Sequence, residues 1–101
     1  MKYSVFTVCM PEYVPQDVVK RLKKWGYDGV EWRFYNRPDN VDPKAGFWGG
    51  NMATIDPRHW EKEVPEIKKL CRAAGLKMPS LAAYAGCAEP DKYKPAIEAA
   101  A

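Results

Sequence analysis

The sequence predicts an α/β fold built on a parallel sheet. Two junctions carry that expectation. At Arg21-Leu22-Lys23-Lys24-Trp25-Gly26-Tyr27-Asp28-Gly29-Val30-Glu31 an amphipathic helix ends in glycine and a strand follows at once, and the pattern recurs at Arg72-Ala73-Ala74-Gly75-Leu76-Lys77-Met78-Pro79-Ser80-Leu81. Glycine just past a helix takes the left-handed conformation that other residues avoid, and basic residues in the last turn face the negative end of the helix dipole. Composition is the third observation: 101 residues, 47% hydrophobic and 13% aromatic, give one globular unit with a modest core and exclude a disordered chain.

Residues 2–10 read as a first strand, nearly continuous in Tyr, Val, Phe and Thr, as strands buried on both faces are. Pro15 suits a first helical position and opens a helix over 15–25, with Val18, Val19, Leu22 and Trp25 on one apolar stripe. A second strand spans 30–35, where Glu31 and Arg33 alternate with Val30, Trp32 and Phe34. Residues 36–56 form a long connection rich in Gly, Asn, Asp and Pro, far above the usual 2–6 residues of a βα turn. Asp56-Pro57 reads as a cap and first-turn proline of a second helix whose buried stripe is Trp60, Val64, Ile67, Leu70, Cys71 and Ala74. Pro65 interrupts that stripe, so either a short turn at 57–63 precedes a main helix over 65–74 or the helix kinks. A third strand follows at 77–84, with Pro79 near its start, and a third helix at 91–101, with Pro95 in its opening turn. That helix ends without a glycine cap, a basic last turn or a following strand, so the chain reads as cut.

Sixteen basic and thirteen acidic residues leave a net charge of +3, interspersed along the chain, which argues against a nucleic-acid or anionic-lipid partner. Cys9, Cys71 and Cys87 are odd in number and widely spaced, fitting reduced thiols in a cytoplasmic protein better than a disulfide framework or a paired-Cys zinc site. No apolar stretch approaches the ~20 residues of a membrane helix, and no secretory signal opens the chain.

The order β-α-β-loop-α-β-α calls for right-handed crossovers and a parallel sheet that three strands cannot complete. A dinucleotide-binding sheet would carry a glycine fingerprint after its first strand; Cys9-Met10-Pro11-Glu12-Tyr13 stands there instead. The expected architecture is therefore the first three βα units of a (β/α)8 barrel, which runs to ~250 residues when whole.

Lys2-Tyr3-Ser4-Val5-Phe6-Thr7-Val8, Trp25-Gly26-Tyr27-Asp28-Gly29-Val30-Glu31-Trp32-Arg33 and Met78-Pro79-Ser80-Leu81 together resemble the opening third of the xylose isomerase-like TIM barrels, in particular the sugar phosphate isomerase/epimerase group. The resemblance covers nearly the whole chain. It implies proton transfer next to a carbonyl, with a divalent metal (Mn, Mg, Co or Zn) in the full-length parent and a sugar or sugar phosphate as substrate. The metal ligands of such barrels lie on strands beyond the third, so no catalytic and no metal-binding residue is expected in this segment. The segment alone is expected to be inactive. Its partners would be the remaining barrel or further copies of itself.

What the segment contributes under that resemblance is a pocket wall at the carboxyl ends of the strands: Cys9 and Met10, Arg33 to Asn36, and Tyr84 to Cys87. Arg33, Trp48, Asn51 and Tyr84 are the substrate-binding candidates. The loop core Phe47-Trp48-Gly49-Gly50-Asn51 pairs an aromatic face, on which a sugar stacks, with an amide that reads hydroxyls. The competing reading is a Trp48 that pins the loop to the barrel top. Glu31 and Arg33, one alternation apart on the same face, read as an ion pair or as substrate contacts, since a buried carboxylate needs a partner. Trp25 and Trp60 read as core, His59 as a helix-entry residue, and Cys87 as a thiol without a His partner. Two alternatives remain: an endonuclease IV-like DNA repair barrel, against which Asn36-Arg37 and Tyr84-Ala85-Gly86-Cys87 stand where such relatives carry histidines, and a non-catalytic barrel fragment that self-assembles.

Overall fold

The computed structural model describes residues 1–40, 43–85 and 88–101. In chain order these form β1 (Ser4–Phe6), a 3-10 turn (Thr7–Cys9), α1 (Pro15–Lys24), β2 (Gly29–Phe34), β3 (Thr54–Ile55), α2 (Trp60–Ala74), β4 (Leu81–Ala83) and α3 (Pro90–Ala100). All pairings are parallel, and β2 is the strand to which the other three attach.

Successive amides of a strand point to opposite edges. The Gly29 N–H donates to the Tyr3 carbonyl at 3.1 Å and the Val30 N–H to the Lys77 carbonyl at 2.9 Å, so β1 and β4 flank β2 on opposite sides. Tyr35, two steps in phase with Arg33, donates to Ile55 at 3.2 Å, which sets β3 on the same edge as β1. β1 pairs Ser4 through Phe6 with Gly29 through Glu31, and β3 takes over opposite Arg33 and Phe34. The first strand is thus far shorter than residues 2–10. At Thr7 its hydroxyl accepts the Arg33 N–H at 3.0 Å, replacing a backbone carbonyl, and the chain turns away into the 3-10 turn. Nor is β1 buried on both faces, since Ser4 is exposed and Val5 and Phe6 half-buried.

Both helix-to-strand junctions are built as the sequence predicts. Gly26 and Gly75 have φ of 79° and 73°, and the residue after each donates five positions back, Tyr27 to Leu22 at 3.1 Å and Leu76 to Cys71 at 2.9 Å. Each is a Schellman cap that turns the chain into the sheet. Gly29 is fixed by a different constraint. A Cβ there would sit 2.4 Å from the Ser4 hydroxyl and 3.0 Å from the Lys77 carbonyl, because strands approach it from both edges. Asp28 sets the register by accepting the Tyr3 N–H at 2.9 Å, and that bond holds its carboxyl below the usual range.

Val30, Trp32 and Phe34 point to one face, where they join Val18, Val19 and Leu22 of α1, Val64, Ile67 and Cys71 of α2, and Ala96 and Ala99 of α3 in one core. All three helices therefore cover the same face. Burial pushes the Cys71 thiol up, opposed by the adjacent Trp32 indole N–H. α2 begins at Trp60 and runs through Pro65 without a second start, so neither the separate 57–63 turn nor a later helix from Pro65 is observed. The third strand shrinks to Leu81–Ala83, preceded by a lone bridge from Gly29 to Lys77, and α3 starts one residue early at Pro90. Trp25, expected in the core, is 52% exposed at the end of α1, and Trp60 only packs against the core margin. No helix among the described residues is long and apolar enough to cross a membrane.

Candidate binding site at the carboxyl ends of the strands

The alternation that buries Trp32 sends Glu31, Arg33 and Tyr35 to the face without helices. Arg33 is 2% exposed. Its Nη1 donates to the Thr54 hydroxyl at 3.1 Å and its Nη2 to the Trp48 carbonyl at 3.2 Å, while Nε has no partner among the described residues. The guanidinium carbon lies 5.0 Å from the centre of the Tyr35 ring and 5.8 Å from that of Tyr84. Tyr84 meets Trp48 edge-on at 5.6 Å and Tyr35 edge-on at 6.1 Å. Burial pushes the guanidinium below its ordinary value, opposed by Tyr84 and Tyr35, and arginine stays charged at neutral pH.

Three of the four substrate-binding candidates, Arg33, Trp48 and Tyr84, thus meet in one cluster. The fourth lies beneath it. Asn51 is 1% exposed, and its Nδ2 donates to the carbonyls of Val8 at 3.2 Å and Phe47 at 3.1 Å. Its Oδ1 accepts the Ala53 N–H at 2.9 Å, so the amide ties the loop to the 3-10 turn after β1. The expected Glu31–Arg33 pair is not formed. Side chains two apart on a strand stand side by side, and Arg33 extends onward to Thr54 and Trp48, away from Glu31. Sequence reasoning placed Tyr35 within the 33–36 stretch of the pocket wall without singling it out. It missed Thr54, which depends on a two-residue strand with no signal of its own.

A second polar group borders the site on its helix side. Asp56 accepts hydrogen bonds from the Arg58 N–H at 2.8 Å, the Arg58 Nη2 at 2.7 Å and the Arg37 N–H at 3.1 Å. Burial raises its carboxyl, but Arg58 and Arg37 outweigh that and hold it at about 2. Arg37 in turn pairs with Glu63. Asp56 therefore closes the turn before α2, accepting the His59 N–H on its carbonyl at 3.0 Å, rather than capping the helix itself. These residues line an open groove of about 890 Å³ between α1 and α2, where their charges are already matched.

Among the described residues no three of His, Cys, Asp and Glu gather as metal ligands, so these residues do not fit a divalent-metal site. His59 is exposed just before α2. Cys9 is an exposed thiol whose Sγ contacts the Phe6 carbonyl at 3.0 Å. Gly86 and Cys87, on the expected rim after β4, lie outside the described residues, as do Val41 and Asp42 of the long connection. Compared with known proteins, the chain matches no family model, no curated protein sequence and no solved structure.

Proposed function

We propose that the chain supplies a substrate-facing wall of a metal-dependent sugar or sugar phosphate isomerase or epimerase of the (β/α)8 type, acting by proton transfer next to a carbonyl. The metal ligands and the proton-moving carboxylates would come from outside these residues. One observation carries the reading: a buried arginine beneath an aromatic rim, at the carboxyl ends of parallel strands, on the face that carries no helix. Barrels bind their substrates at that end, and polar groups set among aromatic faces are how sugar sites orient C–H faces and hydroxyls together. Helices on one face only accord with a sheet that curls toward its bare side, and the outer edge of β4 would then meet further strands or a second copy. Within this reading Trp48 and Tyr84 offer stacking faces, the Tyr35 and Tyr84 hydroxyls offer hydrogen bonds, and Arg33 orients a ligand oxygen. A cytoplasmic location accords with the free thiols of Cys9 and Cys71.

Titrating the chain with an aldopentose, a ketohexose and a hexose 6-phosphate, and following the ring resonances of Trp48, Tyr35 and Tyr84, tests the reading. Saturable shifts confined to those rings are expected. Absence of any shift would overturn it. The chain alone with added divalent metal should turn over none of these sugars, and metal-dependent turnover would show that the chemistry is not housed elsewhere.

A further inference from the structure

We infer that Arg33 is the recognition point for a carboxylate; resting on the sugar-binding reading above, this makes the ligand of the site a sugar acid rather than a neutral sugar. Along the side of a guanidinium formed by Nε–H and one Nη2–H two parallel donors point, and a carboxylate can take that edge with both oxygens. In Arg33 the opposite corner is occupied by Thr54 through Nη1. Nη2 donates to the Trp48 carbonyl, and Nε has no partner among the described residues. The Nε half of that edge is unused.

The charge is unmatched as well. The ion pairs among the described residues join Lys2 to Asp28, Arg37 to Glu63, Arg58 to Asp56, Lys92 to Glu89 and Lys94 to Glu98, and none includes Arg33. A buried cation without an anion is costly, and one buried this deeply is retained where an anion completes it. The groups set around the edge, Tyr35, Tyr84, Thr54 and the Trp48 carbonyl, are neutral. A single positive charge on a planar edge matches a carboxylate, whereas a phosphomonoester brings roughly −1.5 to −2 and calls for more than one cation.

Access runs through the turn that carries Trp48. The Gly46 N–H donates to the Gly49 carbonyl at 2.8 Å, and Gly50 follows at φ 69°. Trp48 is 66% exposed, so lifting it uncovers little further apolar area. A carboxylate replaces the carbonyl with charge-assisted bonds roughly twice as strong as neutral ones.

The test uses the intact chain labelled with nitrogen-15, in which the Nε–H signals of its five arginines are assigned by through-bond spectra. Glucuronate should move the Arg33 Nε–H downfield and saturate it, with glucose and glucose 6-phosphate each at least about tenfold weaker. Arg33→Lys, which keeps the charge and removes the two-donor edge, should weaken glucuronate binding by about tenfold or more. If that variant does not fold, the wild-type titration decides alone. The inference is overturned if glucuronate leaves Arg33 Nε–H unmoved, if glucose binds as tightly, or if glucose 6-phosphate binds more tightly. Glucose that shifts the rings while glucuronate spares Arg33 would sink carboxylate recognition and leave the sugar reading standing. Acetate that moves Arg33 Nε–H as strongly as glucuronate, with the neutral sugars inert at the rings, would do the reverse.

Discussion

β2 has two faces made from one run of six residues, and they are stabilised in opposite ways. Val30, Trp32 and Phe34 are closed in by three helices and hold by shape and burial. Arg33, one residue from Trp32 and just as buried, sits on the other face with an unmatched charge and an unpartnered Nε–H. The first face supplies apolar burial; the second sets a charge that no ion pair among the described residues matches. A strand's period of two sets such a division a single residue apart, so a small sheet can anchor a core and a candidate binding site on the same segment.

The largest effect expected from breaking this contrast is on the core side. Trp32 is fully buried, and Trp32→Ala should cost about 3–5 kcal/mol, a large share of the 5–15 kcal/mol that holds a domain together. Urea denaturation followed by far-UV circular dichroism checks it. A loss below about 1 kcal/mol would mean that the helices do not close over β2 as described.

Asp56 sharpens the contrast from the charged side, because it is a buried ion that is fully matched. Its carboxyl is held at about 2 against an ordinary 3.8. A depressed carboxylate contributes stability that is complete above the unfolded-state value near 3.8 and is lost as pH falls through about 2. At 1.36 kcal/mol per unit the contribution is up to about 2 kcal/mol, reduced by the exposure of Arg58. Asp56→Asn should therefore destabilise the chain by up to about 2 kcal/mol at pH 7 and flatten the fall in stability between pH 4 and pH 2. An unchanged acid limb in the variant would assign that fall to other carboxyls.

Arg33→Met is the converse experiment. Replacing a buried, unmatched charge by an apolar chain of similar length should leave stability unchanged or raise it by about 1 kcal/mol, while abolishing carboxylate binding. A loss of more than about 2 kcal/mol would show that the Thr54 and Trp48 bonds of Arg33 hold the sheet end together, and the two faces of β2 would then be alike in kind.

The same contrast separates what was legible in the sequence from what was not. The glycine caps at Gly26 and Gly75, the start of α1 at Pro15 and the apolar alternation of β2 are local signals, and the structure reproduces them. The misread elements are those decided by a distant partner. β1 ends at Thr7 because Arg33, 26 positions on, takes its hydroxyl. β3 exists because residues 54 and 55 find the edge that β1 vacates. Asn51 had the right chemistry for reading hydroxyls, yet its amide is turned inward by Val8, 43 positions away. Trp25 fits the helical stripe by spacing, but the helix ends there and Arg21 lies over its exposed ring at 5.9 Å. The candidate site was expected as a set of residue types at strand ends; its unmatched charge was not, because Glu31 and Arg33, one alternation apart on the same face, suggested a pair that the extension of Arg33 precludes.

Trp48 carries the smallest expected effect on stability, and it decides between the two roles that the sequence leaves open for it. A tryptophan that pinned the loop would be buried against the strand ends; this one is two-thirds exposed, touches Tyr84 edge-on, and holds Arg33 through its backbone carbonyl rather than its ring. Trp48→Ala keeps that carbonyl. It should shift the urea midpoint by the equivalent of less than about 0.5 kcal/mol, as exposed substitutions do. In an assembled enzyme that contains this segment, the same substitution should lower kcat/KM by an amount worth ~1–3 kcal/mol, because the stacking face is lost. A large drop in Tm with kinetics intact would make Trp48 a packing residue. The aromatic rim would then belong to the fold, and Arg33 alone would remain as the candidate functional element of this face.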